Sequence, residues 1–229
     1  MGHCSELAVW VAVIAAVGAG RASASVVQTF SFETPDVGVG NYYYNPAGSP
    51  GVTYNGISGP TGGGGSGIAA NGSGFSFPDA PDGTQVAFIQ DANGTYGQIT
   101  LALSGLTADM DYDATFYTAE RPDYPANPLV VDFDGSQVGS YADMSSGFTL
   151  QTTSSFEATG GADTLTFTGQ ALPALGGNVG LDLVTIQSVP EPISGSVVLV
   201  GLGLLGAARR PARASGGHRR DGVRPRVLG

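Results

Sequence analysis

The chain has 229 residues and a formal net charge of −10, but residues 25–188 hold 16 acidic side chains against one cation, Arg121, while residues 209–229 hold seven arginines and Asp221. A stretch with one cation cannot neutralise a phosphate backbone, which excludes nucleic acid as its partner. Residues 25–188 also lack Cys, His and Trp, which excludes an internal disulfide, a Ser–His or Cys–His nucleophile pair and a zinc site built on His or Cys.

The first predicted element is an apolar run over residues 7–20, of signal-peptide length and too short for a comfortable membrane span. Ala22-Ser23-Ala24 follows it as a small-x-small cleavage site, so residues 1–24 are predicted to be a signal peptide. A domain over residues 25–188 comes next. Its first strand is predicted at 26–32, where side chains alternate. Residues 41–74 break the pattern: Tyr42-Tyr43-Tyr44 leads into a glycine-rich stretch that predicts a flexible surface loop. Gly62–Gly67 formally matches a nucleotide-loop pattern, but no helix or βαβ unit surrounds it, and that reading is rejected.

Further strands are predicted at 85–90, 98–103, 112–118, 129–133, 148–153, 155–158, 164–168 and 181–187. These are short runs rich in Val, Ile, Thr, Phe and Tyr, separated by turn signals such as Asp82-Gly83, Asn93-Gly94 and Asp134-Gly135. No long 3.6-residue apolar period occurs. The fold class is all-β: a two-sheet antiparallel β-sandwich of jelly-roll type.

The C-terminal region holds three signals in order. Val189-Pro190-Glu191-Pro192 is a rigid strap without two of its backbone donors. An uncharged run follows over residues 193–208, roughly 24 Å long as a helix at about 1.5 Å per residue. That is marginal against the about 20 residues a full span needs. Arg209 and Arg210 then hold its end at the cytoplasmic side. Residues 211–229 are a basic tail. The motif resembles the PEP-CTERM sorting signal of exported bacterial proteins, over residues 189–210. The resemblance implies export, transient retention by a hydrophobic C-terminal helix, processing by an exosortase-type enzyme near Pro190, Glu191 and Pro192, and residence at the cell surface or in an exopolysaccharide or biofilm matrix.

The domain carries a second resemblance. Ser31-Phe32-Glu33-Thr34-Pro35, then Ala80-Pro81-Asp82-Gly83-Thr84, Asp132-Phe133-Asp134-Gly135 and Gly180-Leu181-Asp182-Leu183 are similar, in this order, to galactose-binding-like β-sandwich domains.

Candidate ligand contacts follow from chemistry. Sugars stack their C–H faces on aromatic rings, and tyrosine keeps its hydroxyl in water while doing so. Tyr42, Tyr44, Tyr54 and Tyr124 are the carbohydrate-binding candidates, with Arg121. The planar Arg121 fork suits a carboxylate or paired hydroxyls of a polysaccharide; the structural alternative is an ion pair with Glu120, Asp123, Glu33 or Asp182. No cofactor is expected except a structural calcium on oxygen ligands. Asp109, Asp111, Asp113 and Glu120 have the spacing of an EF-hand loop, but Ala114 replaces its glycine and the segment reads as a strand. Asp79, Asp82 and Asp91, clustered in a turn-rich stretch, and Glu33 with Asp182, between the first and last strands, are the other calcium candidates. The expected function is a non-enzymatic matrix or surface protein that binds polysaccharide. The alternatives are an adhesion protein without a sugar ligand and a hydrolase built on two carboxylates.

Overall fold

The computed structural model describes residues 23–55, 64–92, 94–142, 145–170 and 176–190. The signal-peptide segment through residue 22 and the sorting segment from Glu191 onward, including its hydrophobic helix, Arg209 and Arg210, lie outside the described residues. Within them the chain forms strands only: β1 (Val26–Phe30), β2 (Tyr42–Tyr44), β3 (Val52–Asn55), β4 (Gly65–Ala70), β5 (Gln85–Gln90), β6 (Gln98–Ala102), β7 (Asp111–Glu120), β8 (Leu129–Phe133), β9 (Ser136–Tyr141), β10 (Thr149–Thr152), β11 (Phe156–Glu157), β12 (Thr164–Gly169) and β13 (Asn178–Ser188).

Two antiparallel sheets face each other. The larger runs β10-β7-β13-β5-β4-β2, with β1 added to β13 and β11 to β7; the smaller runs β3-β6-β12-β8-β9. β13 is the hub of the larger sheet. It pairs with β7 along most of its length, with β5 through Asn178–Leu181 and with β1 through Val184–Gln187. Leu183 sits at a bulge there with φ 47°. Between the sheets lies a core of alternating inward residues, among them Ile68, Ala87, Ile89, Ile99, Leu101, Phe116, Leu165, Phe167 and Leu181. The Asp134-Gly135 signal is a two-residue hairpin turn joining β8 to β9, with φ 45° and 80° as the primed turns require.

The prediction of a flexible loop over residues 41–74 fails where they are described: β2, β3 and β4 are there, and every residue of β4 is buried, while residues 56–63 lie outside the described residues. Glycine in β4 reflects close packing rather than flexibility. A Cβ on Gly67 would lie 2.0 Å from the Tyr43 carbonyl oxygen and 2.9 Å from the Phe88 ring. β9, absent from the predicted strands, is formed by a polar sequence carried on the hairpin.

A second, smaller apolar cluster lies on the other face of the larger sheet. Alternation along β5 sends Ala87 and Ile89 into the main core and Val86 and Phe88 to this face, where Ala69 and Phe75 join them. Partly buried Tyr44, Phe77, Ala80 and Phe148 pack against the cluster.

Candidate functional site

The outer cluster is built on a row of paired residues. Tyr44 stands opposite Gly67, Gly67 opposite Phe88, Phe88 opposite Gly180, and Gly180 opposite Ala119. The small residues leave Phe88 a clear floor and let loop side chains lie on the sheet. A Cβ at Gly180 would meet Phe77 at 3.2 Å and Phe148 at 3.3 Å. The loop after β4 supplies Phe75 and Phe77. It is closed by the Asn71 side chain, whose Oδ1 accepts from the Ala80 N–H at 3.0 Å. Phe75 then packs on Phe88 with centroids 4.2 Å apart, and Phe77 stacks on Phe75 at 5.8 Å.

The two predicted β2 tyrosines reach this cluster. Tyr42 meets Phe75 edge to face at 5.0 Å, and Tyr44 meets Phe88 likewise at 4.9 Å. Tyr44 donates its hydroxyl to Gln90 Oε1. Burial raises the Tyr44 phenol pKa, Tyr42 adds to the rise, and the Arg121 charge opposes it. Tyr42 remains 46% exposed, so its ring is open to a ligand.

Arg121 arrives from the far end of β7. Its backbone N–H donates to Asn178 O at 3.2 Å, and a turn closes from Arg121 to Tyr124. Pro122 second and a positive φ third, 63° at Asp123, give that turn the type II signature. The turn folds Tyr124 back on its own arginine: the guanidinium carbon lies 3.8 Å from the Tyr124 centroid and 4.8 Å from that of Phe75. Nη2 donates to Gly74 O at 2.8 Å. Among the described residues the guanidinium forms no ion pair; ring faces and a carbonyl hold it, not Glu120, Asp123, Glu33 or Asp182.

Four of the five predicted contacts thus converge on one surface. Tyr54 does not. It lies in β3 opposite Ile99, 7% exposed within the main core, where burial raises its phenol pKa and nearby Ser49 partly offsets this. The register of β3 turns Tyr54 inward. Phe75, Phe77, Phe148 and Gln90 join the surface without a local sequence signal, since only the tertiary fold brings their loops and strand together.

The acidic side chains are arranged otherwise. Glu33 binds the turn after Asp82: Oε1 accepts from the Thr84 and Gln85 N–H groups at 3.1 and 3.0 Å, and Oε2 from the Thr84 hydroxyl at 3.1 Å. Asp182, fully buried at the β13 bulge, accepts from the Asp82 and Leu183 N–H groups at 2.9 and 2.8 Å. Burial raises its pKa to about 7, backbone N–H groups oppose the rise, and Asp82 and Glu33 add to it. Asp91, also fully buried, accepts from Gly97 N–H at 3.2 Å. Burial raises its pKa to about 6 against the Gly97 N–H and the Asn127 amide. Glu33, beyond the end of β1, and Asp182, in β13, thus both bind the turn at residues 82–85. Asp111, Asp113 and Glu120 lie along the single strand β7, which is not an EF-hand loop. Among the described residues no three His, Cys, Asp or Glu side chains are grouped to hold a metal ion.

Solved structures share the two-sheet architecture. A Stig cyclase, Fisc, from Fischerella sp. TAU, in complex with an indole compound, is 16% identical with a TM-score of 0.53; the match covers 74% of this chain and 100% of that one. A second cyclase from Fischerella sp. TAU is 18% identical with a TM-score of 0.50, covering 71% and 95%. The CBM22-1 xylan-binding domain of Paenibacillus barcinonensis Xyn10C is 13% identical with a TM-score of 0.49, covering 74% and 98%. No curated protein matches the chain. Residues 188–214 match the PEP-CTERM protein-sorting motif. The chain therefore carries a PEP-CTERM sorting signal, which implies an exported protein with a C-terminal membrane-anchor signal and processing by an exosortase.

Proposed function

We propose that this is a non-enzymatic cell-surface or matrix protein whose sandwich binds polysaccharide through the Tyr42, Phe75, Arg121 and Tyr124 surface, in association with exopolysaccharide or biofilm. The observation that carries the reading is the placing of exposed tyrosine rings beside a guanidinium that pairs with no carboxylate among the described residues. Aromatic faces take sugar C–H surfaces, and the free N–H groups of Arg121 take the polar groups between them. The sorting signal supports delivery to a place where polysaccharide is met. The buried carboxylates lend no support to a hydrolase, because Asp91 and Asp182 are fully enclosed and no substrate reaches them. Probing a glycan array with the detergent-solubilised full-length chain tests the reading. The expected result is binding to one polysaccharide class that Tyr42→Ala and Tyr124→Ala both weaken. Binding unchanged by either substitution, or no binding across the array, refutes it.

A second reading has one observation in its favour. Leu150 is 57% exposed on β10, which ends the larger sheet. An open edge with an apolar side chain favours strand-to-strand association of copies, hence adhesion without a sugar ligand. Concentration-dependent assembly abolished by Leu150→Lys supports that alternative.

A further inference from the structure

We propose that Arg121 reads a carboxylate, so that the polysaccharide held at this surface is a polyuronate; the inference rests on the glycan-binding reading above. Arg121 is the one basic side chain of residues 25–188 among 16 acids. In such a domain an arginine serving structure alone has many carboxylates to pair with, yet among the described residues this one pairs with none. One hydrogen bond, to Gly74 O, and two ring faces hold it instead.

The arrangement fixes the fork without consuming it. A guanidinium has five N–H donors in one plane. Ring contacts use no N–H donor, and Gly74 takes a single one. The remaining donors are left for a carboxylate, which binds arginine through two parallel hydrogen bonds. Packing against Phe75 and Tyr124 has already restrained the rotamer, which lowers the ordering cost of binding. Tyr42 contacts the same Phe75 ring as Arg121, so an open stacking face stands close to the charge. In a hexuronate the carboxylate is attached directly to the pyranose ring. A residue stacked on such a face therefore keeps its carboxylate within reach of the neighbouring fork.

The charge of the rest of the domain makes the inference testable. At a formal charge of −15, residues 25–188 repel a polyanion, so general electrostatic adsorption cannot mimic recognition. Preference for a charged polymer over its neutral ester has to come from a local cation.

The experiment compares polygalacturonate with its fully methyl-esterified form, using the full-length chain in detergent and EDTA, by affinity electrophoresis and calorimetry. EDTA removes calcium, which bridges acidic polymers. The acid form is expected to bind about tenfold or more tightly than the ester, the scale of a charge-assisted hydrogen-bonded pair. Arg121→Gln is expected to erase the preference, with circular dichroism confirming the fold. Arg121→Lys keeps the charge but loses the fork, and is expected to lose most of the preference; it carries the test should Arg121→Gln not fold. Equal binding of acid and ester, or a preference that survives in Arg121→Gln, overturns the carboxylate assignment and leaves glycan binding standing. Binding to neither polymer, with neutral glycans bound on the array, overturns it too. No glycan bound at all brings down both readings.

Discussion

Raising the pH from 5 to 8 is expected to weaken this fold. Asp182 and Asp91 are both fully buried, and burial raises their pKa values from 3.8 to about 7 and about 6. A carboxyl with a raised folded-state pKa keeps its proton in the native state while the unfolded chain has released it. The resulting stabilisation is complete below the unfolded value and is lost as pH rises through the folded one. Between pH 5 and pH 8 the two groups together forfeit on the order of 4 kcal/mol, about two-thirds of it from Asp182. Residues 25–188 contain no histidine, so no side chain of ordinary pKa titrates in the same interval to mask the trend. For a domain of this size the loss corresponds to a fall of about 10 °C in melting temperature. Thermal unfolding followed by tyrosine fluorescence and circular dichroism in EDTA measures it at unit pH steps. Asp182→Asn should lower stability at every pH, because the amide cannot accept from both the Asp82 and Leu183 N–H groups, while flattening the profile to the smaller Asp91 part. A melting temperature constant from pH 5 to 8, or rising, refutes the argument.

Four other substitutions test the packing and the surface. Gly83→Ala should destabilise by about 1–3 kcal/mol in urea unfolding, since φ is +70° and the new Cβ would stand 2.4 Å from Glu33 Cδ. Phe88→Ala removes the floor under Phe75 and Tyr44 and should cost about 3–5 kcal/mol, with any glycan binding lost as well. Tyr54→Phe should leave glycan binding intact and stability within about 1 kcal/mol of the parent, while Tyr124→Ala weakens binding and leaves the fold in place. If Tyr54→Phe abolished binding, the separation of core from surface tyrosines would be wrong.

Strands whose own composition specifies them were legible in sequence. Residues 85–90 and 129–133 are β5 and β8 to the residue, and the Asp134-Gly135 turn sits where its positive φ angles require. β4 was not legible, because Gly67 satisfies a packing demand set by Tyr43 and Phe88, which lie elsewhere in the chain. The surface was partly legible for the same reason. Tyrosine and a lone arginine announce their chemistry wherever they stand, so Tyr42, Tyr44, Arg121 and Tyr124 were identifiable. Phe75 looks like any core phenylalanine until the loop closed by Asn71 lays it across the sheet. Tyr54 shows the reverse: its composition suits a ligand site, and its register turns it inward. That Arg121 forms no ion pair among the described residues was hidden because sixteen acids offer many pairings on paper, and only backbone geometry decides among them.

The position of β13 bears on when the domain is able to fold. It is the last of the strands to be synthesised, yet β7, β5 and β1 all need it as a partner. Until residues 178–188 leave the ribosome, the larger sheet has no centre, and the N-terminal strand has nothing to pair with. Contacts that span nearly the whole domain also make closure slow. A polypeptide bound for the far side of a membrane has to remain threadable in transit, and a strand order that puts the hub last delays folding in that way. The compact state becomes accessible only when translation of the sandwich is complete.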